Sequence, residues 1–304
     1  MSGVDLTTHV GSLTLRTPVL TAAGTSGHGD ELSGYGELSR LGGVVVKSLA
    51  AFAWEGNPPP RVVASGEHML NSVGLAGPGV AAWRATYLPG LIERGCLVIG
   101  SIWGRNVAEF AEAARQMLGA DVAAIEVNAS CPNLDDRSAI FAHSSGATSD
   151  VVSASRVAGV PLWVKLSPNT PDLVAIAGAA IDAGADALVL VNTVLGMAID
   201  IERRRAALGN GGGGVSGPGI LPIALRAVYE CRAAYPTTPI VGVGGVSTGE
   251  DAVAMLMAGA NAVEVGTATF ANPRAPWLVQ SGLVEWMERH GVTSPGEIVG
   301  AAHG

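Results

Sequence analysis

Cysteine is scarce in this sequence: 304 residues hold three, Cys96, Cys131 and Cys231, and they lie far apart. That spacing excludes a disulfide framework and a Cys-x-x-Cys metal cluster, so no metal site is expected, and it suits a reducing cytoplasm. The chain opens without a basic segment leading into an apolar one. No apolar stretch of about 18 residues runs without a glycine, a charge or a polar break. A soluble, untargeted protein away from the membrane is expected. There is also no Rossmann-type Gly-x-Gly-x-x-Gly directly after an apolar strand run, since the matches inside the glycine run at 209–217 follow the charged, Ala-containing stretch at 202–208. Nor is there a cysteine cluster for an iron–sulfur centre, so the sequence offers neither a Rossmann dinucleotide site nor a cluster of its own. Positive charge is short too: 18 Lys and Arg against 26 Asp and Glu give a net charge of −8. The arginines are scattered except for Arg203-Arg204-Arg205, and such a surface repels phosphodiester backbones, which excludes nucleic acid as the expected partner.

Lysine is the scarcest cation, with only Lys47 and Lys165 against sixteen arginines. Both end apolar runs, Val44-Val45-Val46-Lys47 and Leu162-Trp163-Val164-Lys165. Arginine solvates a surface equally well, so two lysines kept at strand tips point to a place where a compact ammonium fits and a forked guanidinium does not.

A hydrophobic content of 48% and a mean hydropathy of +0.36 allow a large core, and a single domain over residues 1–304 is expected. Short Val/Ile/Leu/Ala runs alternate with longer Ala-rich amphipathic segments, the pattern of βα units around a parallel sheet. Eight strands are predicted: Val19–Ala22, Val44–Lys47, Leu97–Ser101, Ala124–Asn128, Leu162–Leu166, Ala187–Asn192, Ile240–Gly244 and Ala262–Gly266. The predicted helices are Asp30–Leu41, Val80–Arg94, Val107–Leu118, Thr148–Val157, Asp172–Ala183, Leu221–Tyr235, Thr248–Ala258 and Pro276–His290. Eight pairs make an α/β fold of the TIM (β/α)8 barrel type. Ahead of them, Leu6–Val10 and Leu13–Arg16 flank Gly11-Ser12, which predicts an N-terminal hairpin able to cap the barrel bottom.

Three connections are long and lack helical periodicity: residues 48–79, 130–147 and 193–219. Long βα loops over the C-terminal face of a barrel mark a built site. The glycine run Gly209–Gly214, broken by Asn210, is either a hinge or a tolerated insertion. A barrel gathers the strand tips on one rim, here Gly24, Lys47, Ser101, Asn128, Lys165, Asn192, Gly244-Gly245 and Gly266-Thr267. Bare glycine backbone on the last two strands lets N–H groups approach an anion at a helix start, which implies a phosphate-bearing cofactor.

The loop after the fourth strand reads Asn128-Ala129-Ser130-Cys131-Pro132-Asn133. Its thiol stands outside the strand, on a potential lid, where a thiolate can take a proton from a carbon acid. Cys96 enters an apolar strand and Cys231 lies within a helix, so both are expected to be inert. Asn71, Asn128, Asn133 and Asn192 each offer a donor and an acceptor, which suits a planar heterocycle with alternating carbonyl and N–H groups.

Asn-Ala-Ser-Cys-Pro-Asn at 128–133, Val-Lys-Leu-Ser-Pro-Asn at 164–169, Gly-Asn-Pro-Pro-Pro-Arg at 56–61 and Met-Leu-Asn-Ser-Val-Gly-Leu at 69–75 resemble dihydroorotate dehydrogenase. Asn192–Met197, Val215–Pro218, Gly242–Val246 and Val265–Thr267 extend the resemblance over nearly the whole chain. It is closest to class 1, and within that to the catalytic subunit of the NAD-linked subclass 1B. The resemblance implies oxidation of dihydroorotate to orotate in pyrimidine (UMP) biosynthesis, with Cys131 taking the C5 proton while hydride passes from C6 to N5 of FMN. It places the substrate on Lys47, Asn71, Ser72, Val73, Gly74, Leu75, Asn128, Asn133, Asn192 and Thr193. It places FMN on Ala23, Gly24, Lys47, Ser48, Ser101, Asn128, Lys165, Val191, Gly217, Gly244, Gly245, Gly266 and Thr267. Lys165 would stand beside the flavin's pyrimidine edge, where a cation favours the reduced anion.

The sequence departs from that pattern in three places: Ala23 where serine is common, Ser101 where asparagine is common, and a lid, Leu134–Asp150, longer than usual. His143 on that lid reads as a solvated loop residue rather than a partner for the thiol. With no centre of its own to pass electrons on, the chain is expected to use a partner subunit carrying FAD and [2Fe–2S] to reach NAD, as a homodimer core or a heterotetramer. The alternatives are a class 1A-like, fumarate-dependent enzyme or a related FMN barrel acting on another dihydropyrimidine. Two rivals of other kinds are a tRNA-dihydrouridine synthase, which would need a basic surface that the net charge of −8 argues against, and a non-redox phosphate-binding isomerase or aldolase, which would need a carboxylate or Schiff-base lysine pair in the site and would purify colourless.

Overall fold

A computed structural model describes residues 3–130 and 141–304. Eight short strands form one parallel sheet: β1 (Val19–Thr21), β2 (Val44–Val45), β3 (Val98–Ile102), β4 (Ala124–Asn128), β5 (Leu162–Leu166), β6 (Ala187–Leu190), β7 (Ile240–Val243) and β8 (Ala262–Val265). Each pairs in parallel with its neighbour in chain order, and β8 returns to β1. A bridge between Leu20 and Gly43, with Thr21 N donating to Gly43 O at 3.2 Å, joins β1 to β2 and closes the ring. The barrel expected from the alternating pattern is therefore present.

The strands are apolar on both faces because both are covered. Alternate residues such as Leu20, Ala124, Trp163, Val189, Val241 and Ala262 fill the lumen, while Val19, Val44, Ile125, Val164 and Val263 meet the helices outside. The predicted hairpin forms between Thr8–Val10 and Leu13–Leu15. Its Val10 and Leu15 are buried in the luminal cluster and plug the barrel's lower end.

The helices are α1 (Val80–Thr86), α2 (Leu88–Glu93), α3 (Val107–Met117), α4 (Ser145–Ser155), α5 (Leu173–Asp182), α6 (Leu221–Ala234), α7 (Gly249–Ala258), α8 (Ala268–Ala271) and α9 (Ala275–His290). Side chains cap several of them: Asn106 accepts from Glu109 N, Asp172 from Ala175 N, and Thr248 forms a capping box with Asp251. Such caps satisfy N–H groups that a helix start leaves without partners.

Two expectations are corrected. The predicted helix Asp30–Leu41 is a run of turns ending in one 3-10 turn, Leu38–Arg40, because Gly34 and Gly36 weaken helix there. The predicted helix Val80–Arg94 is two helices, broken at Tyr87, with Pro89 in the first turn of the second. The long connections also hold structure that their composition does not announce. Segments of residues 48–79 and 193–219 build a four-stranded antiparallel sheet in the order Val194–Gly196, Gly213–Ser216, His68–Asn71, Val62–Ser65. The glycine run is thus neither a bare hinge nor a slack insertion, since Gly213 and Gly214 are part of a strand. A Cβ on Gly214 would fall on the Thr193 side chain, so glycine lets Thr193 stand against this sheet.

Candidate active site

The C-terminal rim surrounds a cavity of about 600 Å3, a size that suits small molecules and cofactors. Eighteen residues expected at the site line it: Ala23, Gly24, Lys47, Ser48, Asn71, Ser72, Val73, Gly74, Leu75, Asn128, Lys165, Val191, Asn192, Thr193, Gly244, Gly245, Gly266 and Thr267. Ser101 and Gly217 do not line it. Ser101 lies one layer deeper, its hydroxyl 2.9 Å from Ser48 Oγ, and Gly217 turns the chain behind Ser216 against His68. Cys131 and Asn133 lie outside the described residues, as do residues 134–140 of the lid Leu134–Asp150. His143 is exposed, and burial, though slight, lowers its pKa. Cys96 and Cys231 are buried; burial pushes both thiols up, Cys231 to about 12, so neither supplies a thiolate.

The polar rim is tied together by side chains from different strands. Asn128 Nδ2 donates to Ser48 Oγ at 3.1 Å, Ser130 Oγ donates to Asn128 Oδ1 at 2.8 Å, and Asn192 Nδ2 donates to Ser130 Oγ. The Asn71–Leu75 segment is held from behind by Trp54 Nε1, which donates to Gly74 O at 2.9 Å, and by Asn57 Nδ2, which donates to Ser72 Oγ at 2.8 Å. Sequence reasoning did not single out Asn57 or Ser130, nor Asn169, whose amide joins Ser167 Oγ, Thr193 O and Leu195 N. All three lie inside the motifs at 56–61, 128–133 and 164–169, which is the signal that could have found them.

Charge is distributed unevenly. Both lysines of the chain line the cavity, and among the described residues no Asp or Glu does. The mouth therefore favours anions such as a phosphate or a ring carboxylate. Lys47 runs along Gly24. Lys165 rises from the barrel interior, 5% exposed, with its Nζ 3.2 Å from Glu264 Oε2 and 3.5 Å from Glu126 Oε1, both fully buried. Burial alone would lower Lys165, but the two carboxylates outweigh it and hold the ammonium above its ordinary value. Glu126 and Glu264 were missed from the sequence, although each is a lone charge inside an apolar strand, Ile-Glu-Val and Val-Glu-Val.

The residues present fit a flavin mononucleotide. Gly244 and Gly245 leave β7 at φ +128° and +81°, and a Cβ on Gly245 would come within 2.6–2.8 Å of Leu221. Bare backbone therefore faces the start of the 14-residue α6, with Gly266 and Thr267 on the neighbouring strand end. Glycine backbone beside a helix N-terminus is suited to a phosphate.

A closed parallel barrel whose long loops build a cationic, amide-lined mouth belongs with the (β/α)8-barrel enzymes. Comparison with known proteins narrows that class. A family model for dihydroorotate dehydrogenase matches residues 5–287. The catalytic subunit of dihydroorotate dehydrogenase B (NAD(+)) from Alkaliphilus oremlandii is 44% identical over 99% of both chains. The subunit of the same name from Trichlorobacter lovleyi is 42% identical over 98% of this chain and 99% of its own. The crystal structure of DHODH from Eimeria tenella in complex with ferulenol superposes with a TM-score of 0.83 at 21% identity, over 98% of this chain and 89% of that one, and shows the shared fold. This chain belongs to the dihydroorotate dehydrogenase family and is an oxidoreductase.

Proposed function

We propose that the protein oxidises dihydroorotate to orotate with FMN bound in the barrel mouth, and that its electrons reach NAD through a partner subunit carrying FAD and a [2Fe–2S] cluster. The observation that carries this reading is the cavity itself, lined by both lysines and a ring of asparagines, with no Asp or Glu among the described residues that line it. Full-length relatives named as catalytic subunits of an NAD-linked enzyme support the acceptor and imply a second subunit. A homodimeric core or a heterotetramer in the cytoplasm accords with that reading. No helix among the described residues is long and apolar enough to cross a membrane.

FMN, when bound, would supply the two-electron acceptor. Gly244, Gly245, Gly266 and Thr267 would hold its phosphate, while Gly24, Ser48, Val191 and Lys165 would face the rest of it. Lys47 would serve both flavin and substrate. Asn71, Asn128, Asn192 and Thr193 would orient the dihydropyrimidine ring, using amides already locked by hydrogen bonds so that little side-chain freedom is lost on binding. Cys131, the residue after Ser130 in sequence, would take the proton from C5. On this reading Gly245→Ala should weaken FMN binding about tenfold or more, roughly 1.4 kcal/mol, because the added methyl meets Leu221 at a positive φ. Fluorescence titration of the flavin-free variant against the wild type checks it; equal affinities would move the phosphate elsewhere.

The deciding experiment mixes the purified protein anaerobically with dihydroorotate. The protein should be yellow and should bleach as orotate forms, with NADH appearing only when the partner subunit is added. A flavin absorbance that dihydroorotate leaves untouched would sink the assignment.

A further inference from the structure

Beneath the cavity, one cation and two carboxyl groups are enclosed in the barrel. Lys165 on β5 bonds Glu264 on β8 at 3.2 Å and approaches Glu126 on β4 at 3.5 Å. The acids have no exposed surface, and only the lysine touches the cavity. Each carboxylate leaves one buried oxygen without a hydrogen-bond partner, Glu126 Oε2 and Glu264 Oε1. Two ionised carboxylates against one ammonium would leave a net charge of −1 in a dry interior, which is costly. Two orphaned acceptors and one excess charge are all removed by a single proton placed between the two acids.

We propose that Glu126 and Glu264 share one proton beneath Lys165, and that this proton sets the charge which the cavity floor presents to the cofactor. With the proton in place, the cluster is neutral overall and the Lys165 charge faces the cavity balanced by a single carboxylate. With it gone, the cluster carries −1 and opposes any negative charge above it. Glu264 is thus a positioning residue that acts through Lys165. Its pKa supports the geometry: burial first, and then the neighbouring Glu126, raise it to about 8 against the lowering effect of Lys165.

Among the described residues, no other titratable group faces Glu264 from the elements around it. Its register neighbours are Leu20 on β1 and Val243 on β7. The helices α7 and α9 pack on the outer face of β8, where Val263 and Val265 point. Ser101, donating to Glu126 Oε1 at 3.3 Å, connects the pair through Ser48 to Asn128 on the rim.

The cofactor side of this inference rests on the FMN reading. Two-electron reduction that leaves a negative charge beside Lys165 should bind the shared proton more tightly, so above pH 8 one extra proton enters from solvent per two electrons. Spectroelectrochemistry of the FMN-loaded protein should show a midpoint potential whose fall with pH steepens there by tenfold per pH unit in the equilibrium, about 30 mV for a two-electron couple. Glu264→Gln keeps size and hydrogen bonding and should remove the steepening. In parallel, infrared titration of the wild type should show a protonated carboxyl that disappears around pH 8, with or without flavin. An unaltered potential curve in Glu264→Gln, or no carboxyl titrating near pH 8 in the wild type, overturns the proposal. A protein that takes up no FMN defeats the cofactor reading instead, and the infrared titration then decides the shared proton alone.

Discussion

Lys165→Met is expected to lower the stability of the fold by about 3–5 kcal/mol at neutral pH, the loss typical when one partner of a buried ion pair is removed. Methionine fills a similar volume, so the loss is electrostatic rather than a cavity effect. Among the described residues Lys165 is the one cation within ion-pairing distance of Glu126 and Glu264, and none of the others would balance the charge left on the acids without it. The pH dependence gives the sign. Glu264, raised to about 8 from an ordinary 4.5, binds its proton more tightly folded than unfolded. Its contribution to stability is therefore fully present below pH 4.5, falls as pH rises towards 8, and is level above that. Since the ammonium holds Glu264 down, its removal should extend the falling limb to higher pH, and the variant should recover part of its stability in acid. Urea unfolding at acid, neutral and alkaline pH measures this. Adding Glu126→Gln to Lys165→Met should restore much of the loss, because the remaining acid can stay neutral. An unfolding midpoint unchanged by Lys165→Met would show that the acids carry no charge in the native state.

The cluster also marks the boundary of what the sequence makes visible. Lys47, Lys165, Asn128, Asn192 and the glycines at 244–245 and 266 could be grouped because a barrel carries every strand tip to one rim, whatever the separation along the chain. Glu126 and Glu264 sit two residues below Asn128 and Gly266. They escaped because attention to strand ends passes over strand interiors, although parity with Ala124 and Ala262 places both in the lumen. A charge inside an apolar run is itself a signal, since acids are seldom fully buried unpaired. The antiparallel sheet above the rim was hidden for a different reason. Asn71 and Gly214 meet across 143 positions, and such pairing leaves little local trace beyond the two-residue turn Gly66-Glu67. The predicted helix Asp30–Leu41 does not form because Gly34 and Gly36 weaken helix across it. Packing and long-range pairing decided these places, and local pattern decided the rest.

Cys131→Ser should retain FMN and bind dihydroorotate with little change, yet slow flavin bleaching by about 10²–10⁴-fold at neutral pH, the usual worth of a positioned general base. The residue lies outside the described segments, so the expectation rests on its neighbours and on chemistry. Ser130, the residue before it, lines the cavity and is fixed by Asn128 and Asn192. A thiol ordinarily titrates near pH 8.5, within reach of neutral solution, whereas a serine hydroxyl offers almost no conjugate base there. Cys96 and Cys231 cannot substitute, because burial holds both as thiols. Stopped-flow reduction across pH separates this role from that of Glu264. The wild-type rate should rise through the thiol's titration while the serine variant lacks that inflection, and Glu264→Gln should leave the inflection where it is and alter the potential instead. A serine variant that bleaches at the wild-type rate would place the base on another residue.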